Sequence, residues 1–205
     1  MKFLYSILVL LLITGSAAAQ GLAGFSYNVS LPTSNLKEFV KKTSFGGIDF
    51  EIRWFNSNNV SIGLLTGWNL FNEKTNKLIQ IDDDGLNGAV SGTQIRTVNS
   101  FPFTVNAHYY LGSKRDPARF YFGAGAGVYY IRQRLEIGVN TFESNNWHFG
   151  ITPEAGVLFQ MNRYTSLIVK TNYNYAFSAG TTVGGNNDNS ISYLGFSIGL
   201  VLQNF

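Results

Sequence analysis

The sequence predicts an all-β protein, an eight-stranded antiparallel up-and-down transmembrane β-barrel. Three observations lead to that class. Eight segments alternate apolar and polar residues with a period of two, which is the signature of strands with two different faces. The polar face is mostly Gly, Ser, Thr and Asn. Charged residues make up only 13% of the chain, about half the share of an ordinary soluble domain.

The chain opens with Lys2, an apolar run over residues 3–13 and a small-residue exit, Gly15-Ser16-Ala17-Ala18-Ala19, before Gln20. Residues 1–19 read as a signal peptide cleaved after Ala19, because the apolar run falls well short of the about twenty residues of a spanning helix. Residues 20–205 then form one barrel domain. The chain has no cysteine, which excludes both a disulfide framework and lipid attachment through an N-terminal cysteine. Net charge is +3, falling to +2 with the loss of Lys2, and no basic cluster exceeds Lys41-Lys42 or Lys114-Arg115. Nucleic acid is therefore not an expected partner.

The first strand is the weakest, with Phe25, Tyr27, Val29 and Leu31 against Ser26, Asn28 and Ser30. The second sets Ile48, Phe50, Ile52 and Trp54 against Gly47, Asp49, Glu51 and Arg53. In the third, Val60, Ile62, Leu64, Trp68 and Leu70 oppose Ser61, Gly63, Gly67 and Asn69; in the fourth, Phe101, Phe103, Val105, Ala107 and Tyr109 oppose Ser100, Thr104, Asn106 and His108. The fifth carries Phe120, Phe122, Ala124, Ala126, Val128 and Tyr130 against Gly123, Gly125 and Gly127. The sixth places Trp147, Phe149, Ile151, Ala155, Val157 and Phe159 against His148, Gly150, Thr152, Glu154 and Gly156. The seventh has Leu167, Val169, Tyr173, Tyr175 and Phe177 against Ser166, Lys170, Asn172 and Asn174, and the eighth Leu194, Phe196, Ile198, Leu200 and Leu202 against Gly195, Ser197 and Gly199.

Connections are short at 56–59, 112–118 and 161–163 and long at 32–44, 72–92, 134–146 and 178–189. An even strand count with alternating short and long connections fits an outer-membrane barrel with periplasmic turns and extracellular loops. The opposite polarity, a soluble barrel with an apolar cup, would need a charge-rich outer face. The apolar parity is also too bulky for the interior, since eight strands leave room only for side chains. Phe120, Phe122 and Tyr130 are therefore expected to face lipid.

On that topology Trp54, Tyr109, Phe120 and Phe159 fall near the periplasmic ends of their strands and Trp68, Tyr130, Trp147 and Tyr175 near the outer ends, as two aromatic girdles. The lumen parity collects Asp49, Glu51, Glu154, Arg53, Arg96 and Lys170. Three acids and three bases in so narrow a space are expected to pair as a polar plug, with Arg96, early in a long strand, alternatively a solvated rim residue. His108 and His148 share the lumen parity without ligand-spaced partners, so they read as paired core histidines, with no metal or cofactor expected. Asp82-Asp83-Asp84-Gly85 with Asn87 lacks the spacing and closing Glu of a calcium loop and reads as an acidic loop tip. Leu36, Phe39 and Val40 after Ser34, a candidate N-cap, suggest a short loop-packing helix. Pro102 and Pro153 each remove a ladder donor, so bulges or rim positions are expected there.

The signal peptide, the stretch Phe120-Tyr121-Phe122-Gly123-Ala124-Gly125-Ala126-Gly127, the Pro153-Glu154-Ala155-Gly156-Val157 segment and Phe205 together resemble the outer-membrane β-barrel domain family, the small porin-like barrels related to the transmembrane domain of outer membrane protein A. The resemblance spans the mature chain and rests on pattern. It implies residence in the outer membrane of a Gram-negative bacterium, contact with its lipid, and a C-terminal aromatic, Phe205, similar to the signal read by the barrel-assembly machinery. The match at Phe205 is partial: the apolar parity of the last strand is even and Phe205 is odd, which asks for a bulge or weakens the signal.

The leading functional expectation is a non-enzymatic outer-membrane barrel that supports the envelope or presents its long loops to an extracellular ligand. The alternative is a narrow channel for small or apolar solutes. Small barrels resembling lipid-A deacylases form an enzymatic class, but here neither histidine has lipid-facing parity, and Tyr110 and Gly150 stand where a serine two positions on would be. No catalytic residue is expected.

Overall fold

A computed structural model describes residues 20–83, 86–114, 116–138, 140–180 and 189–204, with the side chains of 76–92 outside that description. The expected signal peptide, the Asp82–Asn87 loop tip and Phe205 lie outside the described residues or side chains. Eight strands follow in order: β1 (Gly21–Thr33), β2 (Ser44–Phe55), β3 (Val60–Asp83), β4 (Leu86–Tyr110), β5 (Ala118–Ile137), β6 (Asn140–Gln160), β7 (Thr165–Ala176) and β8 (Ile191–Asn204). A short helix, α1 (Ser34–Phe39), joins β1 to β2. Each strand pairs with the next and β8 closes on β1, making an antiparallel up-and-down barrel. Closure leaves no sheet edge, so every wall strand finds backbone partners on both sides without water.

The wall has the polarity the composition predicts. Phe120 and Phe122 are 57% and 53% exposed on the outside, while Ser26, Asn28, Ser61, Asn106, Thr152 and Asn172 are buried within. A side-chain period of two is what divides them.

Two long connections turn out to be strand. The ladder of β3 and β4 continues to Asp83–Leu86, and that of β5 and β6 to Ile137–Asn140. These four strands have 24, 25, 20 and 21 residues, about twice the 9–11 that cross a bilayer. Beyond the membrane a strand no longer divides lipid from lumen, so the polarity alternation that marks a strand fades while the backbone pairing persists. The β5–β6 hairpin turns at Gly138, whose φ of +59 suits a residue without a Cβ.

The prolines produce neither bulges nor rim positions. Pro102 faces Tyr129 in an unbroken β4–β5 ladder, and Pro153 faces Ala124 in β5–β6. On the other side of each strand the ladder opens without slipping: β3–β4 pairing stops at Thr66–Phe103 and resumes at Asn69–Ser100, and β6–β7 pairing stops at Ile151–Tyr175 and resumes at Glu154–Asn172. A strand residue directs its N–H to only one neighbour, so the lost donor loosens one seam and leaves the other intact. The one slip in β1–β2 lies between Asn28 and Ser30. The β1–β8 register is continuous from Thr33–Ser192 to Gly21–Asn204, so no bulge through Asn204 changes the parity of β8 ahead of Phe205.

The interior also departs from expectation in its bulk. Tyr110, Tyr121, Tyr129, Tyr193, Phe71, Leu158 and Ile168 are buried inside the wall, on the parity that reads as small and polar. They form two apolar clusters. Leu36, Val40, Phe71, Val98, Tyr129, Ile131, Ala176, Ile191 and Tyr193 gather at the α1 end, and Leu22, Tyr110, Tyr121, Leu158, Ile168 and Val201 at the short-turn end. The lumen glycines make the room. A Cβ on Gly156 would lie 2.7 Å from the Tyr121 hydroxyl, and one on Gly150 would lie 2.6 Å from the Tyr129 ring. Small and large residues alternate around a narrow barrel so that each ring occupies a neighbour's missing side chain.

Candidate functional site

Alternation on β2 aims Asp49, Glu51 and Arg53 at the lumen in succession, and closure brings β4, β6 and β7 around them. Arg53 is the centre. Its guanidinium donates to Glu51 Oε2 from Nη2 and Nε at 2.8 and 3.2 Å, to Glu154 Oε1 at 3.0 Å, and to the hydroxyls of Tyr110 and Tyr121 at 3.0 Å each. Its carbon also sits 4.3 Å from the centroid of the Tyr121 ring. Lys170 donates to Glu51 at 3.2 Å and stands 3.9 Å from Asp49. Asp49 accepts further bonds from Ser197 at 3.1 Å and Asn28 at 3.3 Å. Arg53 is 0% exposed.

Five of the six lumen charges read from the sequence thus meet in one network. Arg96 is the exception. It lies at the α1 end, donating to the Phe39 carbonyl at 3.1 Å and to Gln94 at 3.3 Å, with its guanidinium over the Phe39 ring. It pins the helix instead of joining the plug. The helix begins one residue from the expected cap: Thr33 holds the N-cap position with no side-chain bond, and Ser34 is its first residue, with φ +44. Leu36 and Val40, four apart and so on one face, turn into the barrel mouth and are buried.

His108 joins the network, donating from Nε2 to Glu154 Oε1 at 2.8 Å while Nδ1 faces the Ser61 hydroxyl at 3.3 Å. Ser61, His108 and Glu154 form the connectivity of a nucleophile, base and acid. Ser61 is fully buried and Glu154 is bound to Arg53. His148 is separate, donating from Nδ1 to the Phe177 carbonyl at 2.8 Å. Among the described residues no group of three His, Asp or Glu has the geometry to hold a metal. Glu51 Oε1 and Glu154 Oε2 lack hydrogen-bond partners among the described residues.

On the outer wall an aromatic row crosses four strands: Trp68 stacks on Phe101, Phe101 meets Tyr130, and Tyr130 meets Trp147 at 5.0 Å between centroids. Trp68 also donates to Asn99 at 2.9 Å, the polar handle that suits an indole at a lipid–water boundary. Towards the short turns Tyr109 packs on Phe122 at 5.4 Å, Phe120 and Phe159 are exposed, and Trp54 is half-buried. Tyr175 on β7 meets Phe177 edge to face. Above the row, Arg132 and Arg134 pair with Glu143, and Arg134 also with Glu136. Those pairs are solvent-exposed and contribute little to stability.

No family model matches the chain, and no curated protein matches it. Solved structures do. Neisserial surface protein A superposes with a TM-score of 0.54 at 14% identity, over 90% of this chain and 96% of that one. The outer membrane protein OprG from Pseudomonas aeruginosa superposes with a TM-score of 0.51 at 13% identity, over 91% and 96%. The chain has the fold of the small outer-membrane barrels, and its own surface, apolar outside and polar within, is that of a protein standing in a bilayer.

Proposed function

We propose that this outer-membrane barrel is a non-conducting, non-enzymatic anchor that displays two long hairpins on the outer surface of a Gram-negative cell, for envelope support or for binding an extracellular ligand. The observation that carries the reading is the filling of the lumen at three levels: the apolar cluster under α1, the Arg53-centred ion network, and the apolar cluster at the short turns. Beyond Leu70 the β3–β4 ladder continues from Phe71 to Asp83, a rise of roughly 40 Å along the strand at about 3.3 Å per residue. Export through residues 1–19 and assembly through β8 and Phe205 belong to the same proposal. Planar-bilayer recording tests it: a quiet membrane is expected, and stable openings of nanosiemens scale refute the plug.

One feature favours the alternative of passage for small apolar solutes. A lipid-facing groove is lined by Phe50, Ile52, Leu64, Phe103 and Val105 together with lumen-side Leu65 and Thr104, beside the seam that Pro102 opens. Uptake of an apolar solute into liposomes carrying the barrel would support that reading, and impermeability supports the anchor.

A further inference from the structure

We propose that the short-turn mouth of the barrel holds a binding site for a small oxyanion, a carboxylate or phosphate, built on Arg119. This residue is the second of β5, on the lumen parity opposite Leu158. It is 3% exposed, and its guanidinium lies 4.5 Å from the Tyr110 ring centroid and 5.6 Å from that of Phe55. Nη2 donates to the Asn58 carbonyl in the β2–β3 turn. Nε and Nη1 are buried and, among the described residues, have no acceptor.

A guanidinium stays charged at any physiological pH and has donors to spare. Buried donors are otherwise almost always satisfied, so two unfilled ones on a single cation are an exception that needs an occupant. Arg119 lines a narrow cleft of about 10 Å³, room for one oxygen-sized group, with Lys114, Asp116, Leu158, Gln160, Ser166 and Gln203. Lys114 brings a second positive charge, its ammonium bonded to the Gln20 side chain and 5.3 Å from the Phe55 ring. Partial burial first, and the charge of Arg119 next, hold that ammonium below the usual lysine range. An anion between the two would offset the repulsion between them. The acid of the cleft, Asp116, accepts from the Ser113 backbone N–H at 2.7 Å.

The chemistry selects an oxyanion. Charge-assisted N–H···O⁻ bonds are stronger than those to water, and Ser166, Gln160 and Gln203 add neutral polar groups around a space that admits one oxygen of a carboxylate or phosphate, the rest of the group lying in the open mouth. Two sources offer that group on the periplasmic side: soluble molecules ending in a carboxylate or phosphate, and the headgroups of the inner leaflet.

The test is the side-chain ¹⁵N–¹H resonance of Arg119 Nε in the refolded protein. It is followed in zwitterionic detergent with sodium acetate, inorganic phosphate or sodium chloride, and in nanodiscs with or without anionic lipid. Saturable shifts with acetate or phosphate, weakened severalfold in Lys114→Gln, support a soluble oxyanion. A shift confined to anionic-lipid discs supports the same site with a headgroup as its occupant. No shift in any arm, an equal response to chloride, or an affinity unchanged in Lys114→Gln overturns the proposal. Arg119→Gln serves as a second variant once heat-modifiable gel mobility shows it folded, and backbone shifts around the mouth that persist in it also overturn the site. Lys114 lies in an exposed turn outside the strands, so the first variant remains informative if the second does not fold.

Discussion

Replacing Arg53 with Met removes the cation that binds two lumen acids at once. The native network sets Asp49, Glu51 and Glu154 against Arg53 and Lys170. In Arg53→Met three carboxylates face Lys170 alone, and the Tyr110 and Tyr121 hydroxyls lose a donor. Lys170 remains 3.2 Å from Glu51 and His108 remains 2.8 Å from Glu154, so each acid retains one partner and neither is left wholly bare. Breaking a buried pair from one side costs about 3–5 kcal/mol, and the retained partners place this change near the lower end of that range. A triple variant, Arg53→Met with Glu51→Gln and Glu154→Gln, removes most of the stranded charge. It is expected to recover all but about 1–2 kcal/mol, because a neutral lumen avoids the desolvation of unpaired ions. The assay is denaturant unfolding of the refolded barrel in vesicles, followed by Trp fluorescence and by gel mobility of unboiled samples. A loss below about 1 kcal/mol in Arg53→Met, which is the range of a surface pair, or a triple variant no more stable than the single, would refute the claim that the network is a desolvated structural plug.

The wall makes its own predictions. Ala126→Arg places a charge in mid-bilayer on the lipid face and is expected to cost about 2–4 kcal/mol; Met161→Arg, exposed in the β6–β7 turn, should stay within about 0.5 kcal/mol, and equal tolerance in vesicle unfolding would contradict the bilayer assignment. Gly127→Ala drives a Cβ to 2.7 Å from the Thr104 Cα, against backbone that cannot swing aside. Overpacking of that kind costs about 1–3 kcal/mol, and a refolding yield and midpoint equal to the parent's would show that the strands are further apart than the structure places them.

Much of the candidate site was legible residue by residue. Asp49, Glu51 and Arg53 were assignable to the lumen because they share a parity with Gly47 and oppose Ile48, Phe50 and Ile52. What was not legible was their company. Arg96 shares the lumen face and the charge of Arg53, and its place early in a long strand allowed the mouth position it takes against Phe39; which two acids Arg53 holds was the hidden part, because depth along the axis depends on strand stagger and not on alternation. Tyr121 and Tyr129 were hidden by their neighbours. Sitting between phenylalanines, alanines and valines in β5, they look like interruptions of a glycine face, and only the positions of Gly156 and Gly150 on β6 show that they fit. Arg119 carried no signal at all in sequence, being one cation near the start of a strand.

The order of residues along the chain was enough to set strand number, the face turned to lipid and the even, up-and-down order, because each depends on a repeat of two read within a single segment. Only closure of the sheet decided which groups share the interior. Arg53 reaches Glu154, far along the chain, through the stagger accumulated around the whole ring, and α1 reaches the mouth because β1 and β2 leave it over an opening lined by Phe71 and Tyr193. Contacts across a barrel are set by the joint geometry of all its strands, and no single segment contains that information.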